Sequence, residues 1–196
     1  MKCVQLCCAV AFIAGSHSMF GNSQALPAAG GMEWGTTNAG LRMAISSVAS
    51  GTERPEERRF CVAIENVGDG DVMVNLGYMI ANEMSPLAVR LVLTDPQGAT
   101  RDLHYFDRRG GIAGRADDFL VALRAGSVYS LRLSLDRYYS PATKEYELKL
   151  ARGPYRIEAR FEGHGATTLN LDTRGIALFN FWKGTLRSNS LAFEIP

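Results

Sequence analysis

Hydrophobic and polar residues alternate with a period of two along most of this chain. Leu41, Met43 and Ile45 are separated by Arg42 and Ala44, and Phe60, Val62 and Ile64 by Cys61 and Ala63. The same alternation returns at Val72, Val74 and Leu76, at Val89, Leu91 and Leu93, and at Leu103 and Tyr105. It continues through Tyr129, Leu131, Leu133 and Leu135, through Tyr146, Leu148 and Leu150, and through Tyr155, Ile157, Ala159 and Phe161, and it closes on Leu191, Phe193 and Ile195. Successive side chains of a strand point to opposite faces, so each run predicts a strand with one face buried and one wet. No stretch repeats every three to four residues over helical length. The pattern predicts an all-β protein.

The breaks between runs agree. Asn66-Val67-Gly68-Asp69-Gly70 is a turn cluster, and Asp95-Pro96-Gln97-Gly98 places Pro where its fixed φ suits a type I turn. Ala125-Gly126-Ser127 and Arg152-Gly153-Pro154 supply two further turns. Many short strands joined by Gly, Pro and Asp turns read as a sandwich or a barrel. Uneven strand lengths and some long connections favour a Greek-key sandwich over a closed up-and-down barrel.

Two segments share a turn-then-tyrosine spacing. In Leu150-Ala151-Arg152-Gly153-Pro154-Tyr155 a strand end and a Gly turn lead to a Tyr that opens the next strand, and Leu123 to Leu131 repeats the arrangement around Tyr129. The first looks like the tyrosine corner of immunoglobulin-like domains, whose phenol bonds to an upstream backbone group. With Trp34-Gly35, Gly40-Leu41-Arg42-Met43 and the closing Ser188 to Ile195, these segments resemble a group of exported bacterial immunoglobulin-like domains, mostly of unknown function. More distantly, Glu65-Asn66-Val67-Gly68-Asp69 is similar to a turn of the BsuPI-type proteinase-inhibitor domain. The resemblance implies an immunoglobulin-like Greek-key β-sandwich, with Tyr129 and Tyr155 as structural residues. It names no ligand.

The first residues read as an export signal. Lys2 precedes a short uncharged apolar run, Leu6 to Ala14, which is too short to span a bilayer of ~30 Å. Small residues then offer cleavage after Ser18 or after Ala25. With cleavage at Ala25, the expected organisation is a signal peptide over 1–25, an extension over 26–39, and one sandwich domain over 40–196. The mature protein is then expected to be secreted or periplasmic, with no transmembrane segment.

Removing the signal changes what the composition says. Cys3, Cys7 and Cys8 leave with it, so Cys61 has no partner for an intramolecular disulfide. Within a β-rich run it reads as a small buried hydrophobe, although Arg58 and Arg59 nearby keep a reactive thiol open. Only Lys2 is lost among charged groups, which leaves 20 basic and 20 acidic residues. That balance argues against a nucleic-acid partner, which calls for a basic patch. About 170 residues suffice for one domain that buries ~70% of its unfolded surface.

Candidate chemistry is sparse. His104 and His164 are the only mature histidines and stand far apart from Cys61 in the chain, so no transition-metal set is indicated. Glu65, Asn66, Asp69 and Asp71, with Asp117-Asp118 elsewhere, supply oxygens for calcium, but these Asp residues equally suit turn geometry. Neither Gly-x-Ser-x-Gly nor a zinc-protease His-Glu motif occurs, and no cofactor is implied.

Two groups remain as binding candidates. The loop Asp107 to Asp117 (DRRGGIAGRAD) presents Arg108, Arg109 and Arg115, which suit an anionic partner or a protease cleft. Tyr138 and Tyr139, before Pro141, are expected to be exposed and suit stacking on a sugar. Trp182 is expected to cover one end of the sandwich. The function expected from these features is a non-catalytic module that binds an envelope or extracellular partner, protein before carbohydrate, through its loops or a sheet edge. A proteinase inhibitor using the Asp107–Asp117 loop and a carbohydrate-binding module are the alternatives.

Overall fold

The fold was obtained as a computed structural model that describes residues 32–48, 54–80, 83–106, 116–144, 146–165 and 180–196. The expected signal peptide, 1–25, and the stretch 107–115 lie outside the described residues. The chain is an all-β sandwich, and among the described residues the paired strands are antiparallel, with one isolated parallel bridge from Met73 to Phe181. They run β1 (Leu41–Ser47), β2 (Arg59–Asn66), β3 (Val72–Ile80), β4 (Glu83–Ser85), β5 (Val89–Thr94), β6 (Thr100–Tyr105), β7 (Ala116–Leu123), β8 (Val128–Ser134), β9 (Tyr138–Tyr139), β10 (Gly153–Gly163), β11 (Gly184–Arg187) and β12 (Leu191–Ile195). Among the described residues no helix is long and apolar enough to cross a membrane.

The strands form three sheets. One has the order β1-β2-β8, the largest has the order β11-β10-β5-β6-β9, and the third has the order β4-β3-β7. β10 is the axis of the largest sheet: its first half pairs with β12 and its second half with β11. A single buried cluster joins the sheets, with Leu41, Met43, Phe60, Val62 and Ile64 from the first and Leu91, Leu93, Ile157 and Phe161 from the second. Phe60 meets Phe193 edge to face across this interface, with centroids 5.7 Å apart. These are the alternating positions of the sequence, and burial of their apolar area is the main force holding the sheets together.

Several elements differ from the sequence expectation. Tyr146 to Leu150 is not a strand. Leu148 is buried and Leu150 half-buried, so the alternation anchors an irregular crossing segment, with Lys144 in the left-handed region at φ 56° just before it. Alternation requires only one wet and one dry face; a strand also needs a neighbour for its backbone. Leu135 leaves the β8 ladder and enters a short 3₁₀ turn, Leu135–Arg137, although its side chain stays in the core. β7 runs through Asp117 and Asp118, so the end of the expected Asp107–Asp117 loop belongs to a strand paired with Met79 and Tyr78. Its core-facing positions Phe119, Val121 and Leu123 share one face, with Val121 only half-buried between the two buried residues. β2 is buried on both faces, because the small Cys61 and Ala63 sit between flanking strands on the face opposite Phe60 and Val62.

The turns are held by their own polar residues. Asn66, itself buried, donates through Nδ2 to the carbonyls of Gly70 (2.8 Å) and Leu123 (3.0 Å) and accepts from the Gly68 amide through Oδ1 (3.0 Å). Asp71 accepts from the Ala125 amide at 3.0 Å, and Asp118 accepts from Asn75 Nδ2 at 3.1 Å. These side chains, weighed from sequence as calcium ligands, are occupied in joining the β2–β3 turn to the β7–β8 turn and β3 to β7. Among the described residues no three His, Cys, Asp or Glu side chains converge as a metal set.

Candidate functional site

The outer strands of the sheets are not treated alike. β1 is the outer strand of its sheet, and its edge is closed by side-chain and backbone groups. Asn189 accepts from the Ile45 amide (2.7 Å) and donates to the Ile45 carbonyl (3.1 Å), while the Gly35 amide donates to the Met43 carbonyl (2.9 Å). The Asn189 amide thus takes the place of one residue of a neighbouring strand. β9 closes the largest sheet with only two residues, too short to template further pairing.

Among the described residues β8 shows neither device and pairs with β2 alone, over the full span from Arg59–Ser134 to Glu65–Val128. Its other side faces the outer strand β4 across an open groove of about 670 Å³. Tyr129, Ser130, Leu131, Arg132, Leu133 and Ser134 all border that space, with Glu83, Met84 and Pro86 opposite and Tyr105 and Arg137 completing it. Odd and even residues of a strand point to opposite faces, so a space bordered by six in succession runs along the backbone edge. Leu131 and Leu133 stay in the core, Arg132 is exposed, and Met84 on the far wall is 51% exposed. Burial pushes the Tyr129 phenol above its ordinary pKa, and its ring packs edge to face on Phe119.

Cys61 lies on β2 beside this edge strand, directly opposite Arg132. Its thiol is fully buried, and desolvation raises its pKa despite a hydrogen bond with Ser130 and the nearby Arg132 charge. A buried thiol held in its neutral form is a poor nucleophile at neutral pH.

A second feature lies at the β6–β9 margin. Tyr139 stacks nearly parallel on Tyr146, with centroids 5.3 Å apart, and Phe106 packs against both rings. His104 meets Tyr139 edge to face at 6.1 Å. Tyr146 is 53% exposed, whereas Tyr139 is half-buried. Desolvation lowers the His104 pKa and the Arg90 charge lowers it further, against smaller opposing effects from Asp102 and Glu162.

The residues singled out from sequence are scattered over the molecule. Arg108, Arg109 and Arg115 lie outside the described residues. Tyr138 does not stand exposed beside Tyr139: it is fully buried, its ring abuts Tyr105, and its hydroxyl donates to the Val89 carbonyl at 3.2 Å. The cause is the strand period itself, which sends adjacent residues of β9 to opposite faces. Burial pushes the Tyr138 phenol far above its ordinary range. The Tyr155 hydroxyl donates to the Ala151 carbonyl four residues upstream, at 3.0 Å. Trp182 is buried, stacks on Phe161 and donates from Nε1 to the Ala39 carbonyl at 3.0 Å. Sequence reasoning missed Glu83, Met84, Arg132 and Tyr146 as surface features. Tyr146 carried a signal, the aromatic content of the segment, but was read as part of a strand.

No family model matches the chain, and no curated protein matches it. Among solved structures, similarity extends to a Bordetella pertussis protein given the name ApaA, with 10% identity, TM-score 0.38, and coverage of 84% of this chain and 97% of that one. A structural-genomics target designated SoR45 is similar at 9% identity and TM-score 0.36, over 80% of this chain and 88% of that one.

Proposed function

We propose that this protein is an exported immunoglobulin-like binding module that takes an extended segment of a partner protein onto the open edge of β8. The observation that carries this reading is the run Tyr129 to Ser134, six successive residues bordering one groove beside an edge strand. An extended peptide laid there would gain main-chain hydrogen bonds from β8, and its alternate side chains would meet the apolar Tyr129, Tyr105 and Met84 or the polar rim. The closed β1 edge supports the reading, since long open edges invite unwanted pairing and this chain blocks one of them. The immunoglobulin-like part of the proposal is supported by the order β1-β2-β8 packed against β12-β10-β5-β6 and by the Tyr155–Ala151 bond. Export is supported by Lys2 and the apolar run Leu6 to Ala14.

The test is selection of binders from a library of unstructured peptides against the folded protein, followed by amide hydrogen exchange of each complex. Strand capture predicts new protection concentrated at residues 128–134. Binders that protect other segments and leave β8 unchanged would refute it.

A carbohydrate reading is favoured by a separate observation, the Tyr139–Tyr146 stack with Tyr146 at the surface. It predicts glycan-array hits lost in Tyr146→Ala and kept in Tyr138→Phe. Hits that persist in Tyr146→Ala would sink it.

A further inference from the structure

The outer face of the largest sheet carries a second, independent feature. Arg90 on β5 stands directly opposite Arg160 on β10, and Arg160 stands directly opposite Arg187 on β11. Ala159 and Phe161 are fully buried, so Arg160 between them belongs to the outward face, and its two partners share that face by register. Neighbouring strands lie about 4.8 Å apart, and like charges directly opposite one another disfavour pairing. Three arginines in one row is therefore a costly arrangement unless something negative sits over it.

Among the described residues one ion pair reaches the row. Glu162 pairs with Arg90 at 3.3 Å, at one end of the row. Among the described residues no carboxylate lies within ion-pair distance of Arg160 or Arg187. Arg160 Nε is buried and has no hydrogen-bond partner, an exception to the rule that buried donors are satisfied.

The row also has a shaped surrounding. Arg160 and Arg187 open into a basin of about 520 Å³ whose other borders are Glu162, Thr185, Thr36 and Asn38. The wall formed by residues 35–38 is fixed. Asn38 donates to the Thr185 carbonyl at 3.1 Å, and Gly35 lies so close to the Arg187 carbonyl that a Cβ there would collide with it. Guanidinium groups and hydroxyls on a fixed frame match the geometry of an oxyanion, which accepts several hydrogen bonds at once.

We propose that the Arg160–Arg187 basin binds a phosphate or sulfate group, with Thr36 and Thr185 adding neutral donors and the Arg90–Glu162 pair closing one side. The same chemistry serves the free ion or the group carried as an ester on a larger molecule. This site stands apart from the β8 groove and does not depend on strand capture.

The test is calorimetric titration of the full chain with inorganic phosphate, inorganic sulfate, glycerol phosphate and a sulfated disaccharide, at constant ionic strength. Saturable one-to-one binding of at least one of these is expected. Tighter binding of the inorganic ions assigns the site to the free anion, and tighter binding of an ester assigns it to a group on a larger molecule. Arg160→Gln and Arg187→Gln should each weaken binding about tenfold or more. Arg187→Lys, which keeps the charge but loses the fork, should weaken it less. Arg156→Gln, on the same strand face but outside the row, should leave affinity unchanged, and circular dichroism checks that each variant is folded. Absence of saturable binding by all four probes would overturn the proposal, as would an equal loss in Arg156→Gln.

Discussion

Gly163 stands directly opposite Gly184 where β10 pairs with β11, and the space left by their two missing side chains holds the Trp182 indole. A Cβ on Gly163 would fall inside the contact distance of the ring carbons, and one on Gly184 would come to 3.0 Å from Cη2. The glycine pair, the Phe161 stack and the Ala39 hydrogen bond together fix this ring at the sheet end. Gly163→Ala is expected to destabilise the fold by about 1–3 kcal/mol through overpacking. Trp182→Ala should cost about 3–5 kcal/mol through the cavity it leaves. Urea denaturation measures both, and wild-type stability in Gly163→Ala would show that the ring is not confined.

The two tyrosine hydroxyls that reach backbone carbonyls can be separated by deletion. Tyr155→Phe removes the bond to Ala151, and Tyr138→Phe removes the bond to Val89. A typical net contribution is about 1 kcal/mol. The Tyr138 change should be the larger, because its bond is fully buried while that of Tyr155 is partly exposed. Thermal unfolding of the two variants side by side gives the order.

Asn189 guards the β1 edge. Asn189→Ala frees both the amide and the carbonyl of Ile45 at once. A loss of about 1–3 kcal/mol is expected, together with concentration-dependent association as the opened edge pairs with another chain. Analytical ultracentrifugation over a concentration series reads the second effect, which a purely local defect would not produce.

Acid should destabilise the protein through His104. Its native pKa lies below the ordinary value of 6.5, so the unfolded chain binds the extra proton first. Stability from this group is complete above the unfolded pKa and is lost as pH falls from about 6.5 toward the lower native value. Urea midpoints between pH 5 and pH 8 should show that slope, and His104→Gln should flatten its histidine component.

Cys61 should resist a thiol reagent in the native state. Its pKa is raised by burial and no surface reaches it, so modification requires opening of the sheet. Labelling with an aromatic disulfide is expected to follow the opening rate and to become rapid in denaturant. Immediate native-state labelling would contradict the buried position.

The alternating runs by themselves determined that the chain is built from strands, where most of them lie, and which side of each faces inward. Leu41, Phe60, Leu91 and Ile157 are core residues because period-two burial is a local property of one strand. The turns at Asn66 and Asp95 were equally local, since their side chains bond backbone within a few residues. Tyr146 to Leu150 shows the limit of the same signal: Leu148 and Leu150 turn inward, but among the described residues no strand pairs with the segment.

What lies beside what was decided only by the tertiary structure. The row of Arg90, Arg160 and Arg187 joins residues far apart in the chain, and among the described residues β8 is an outer strand with β2 as its neighbour. Strand pairing is set by contacts between distant segments, so a residue's own neighbours in sequence carry no record of its partners. The all-β sandwich could therefore be read from the order of amino acids alone. Its edges, its grooves and its arginine row required the assembled sheets.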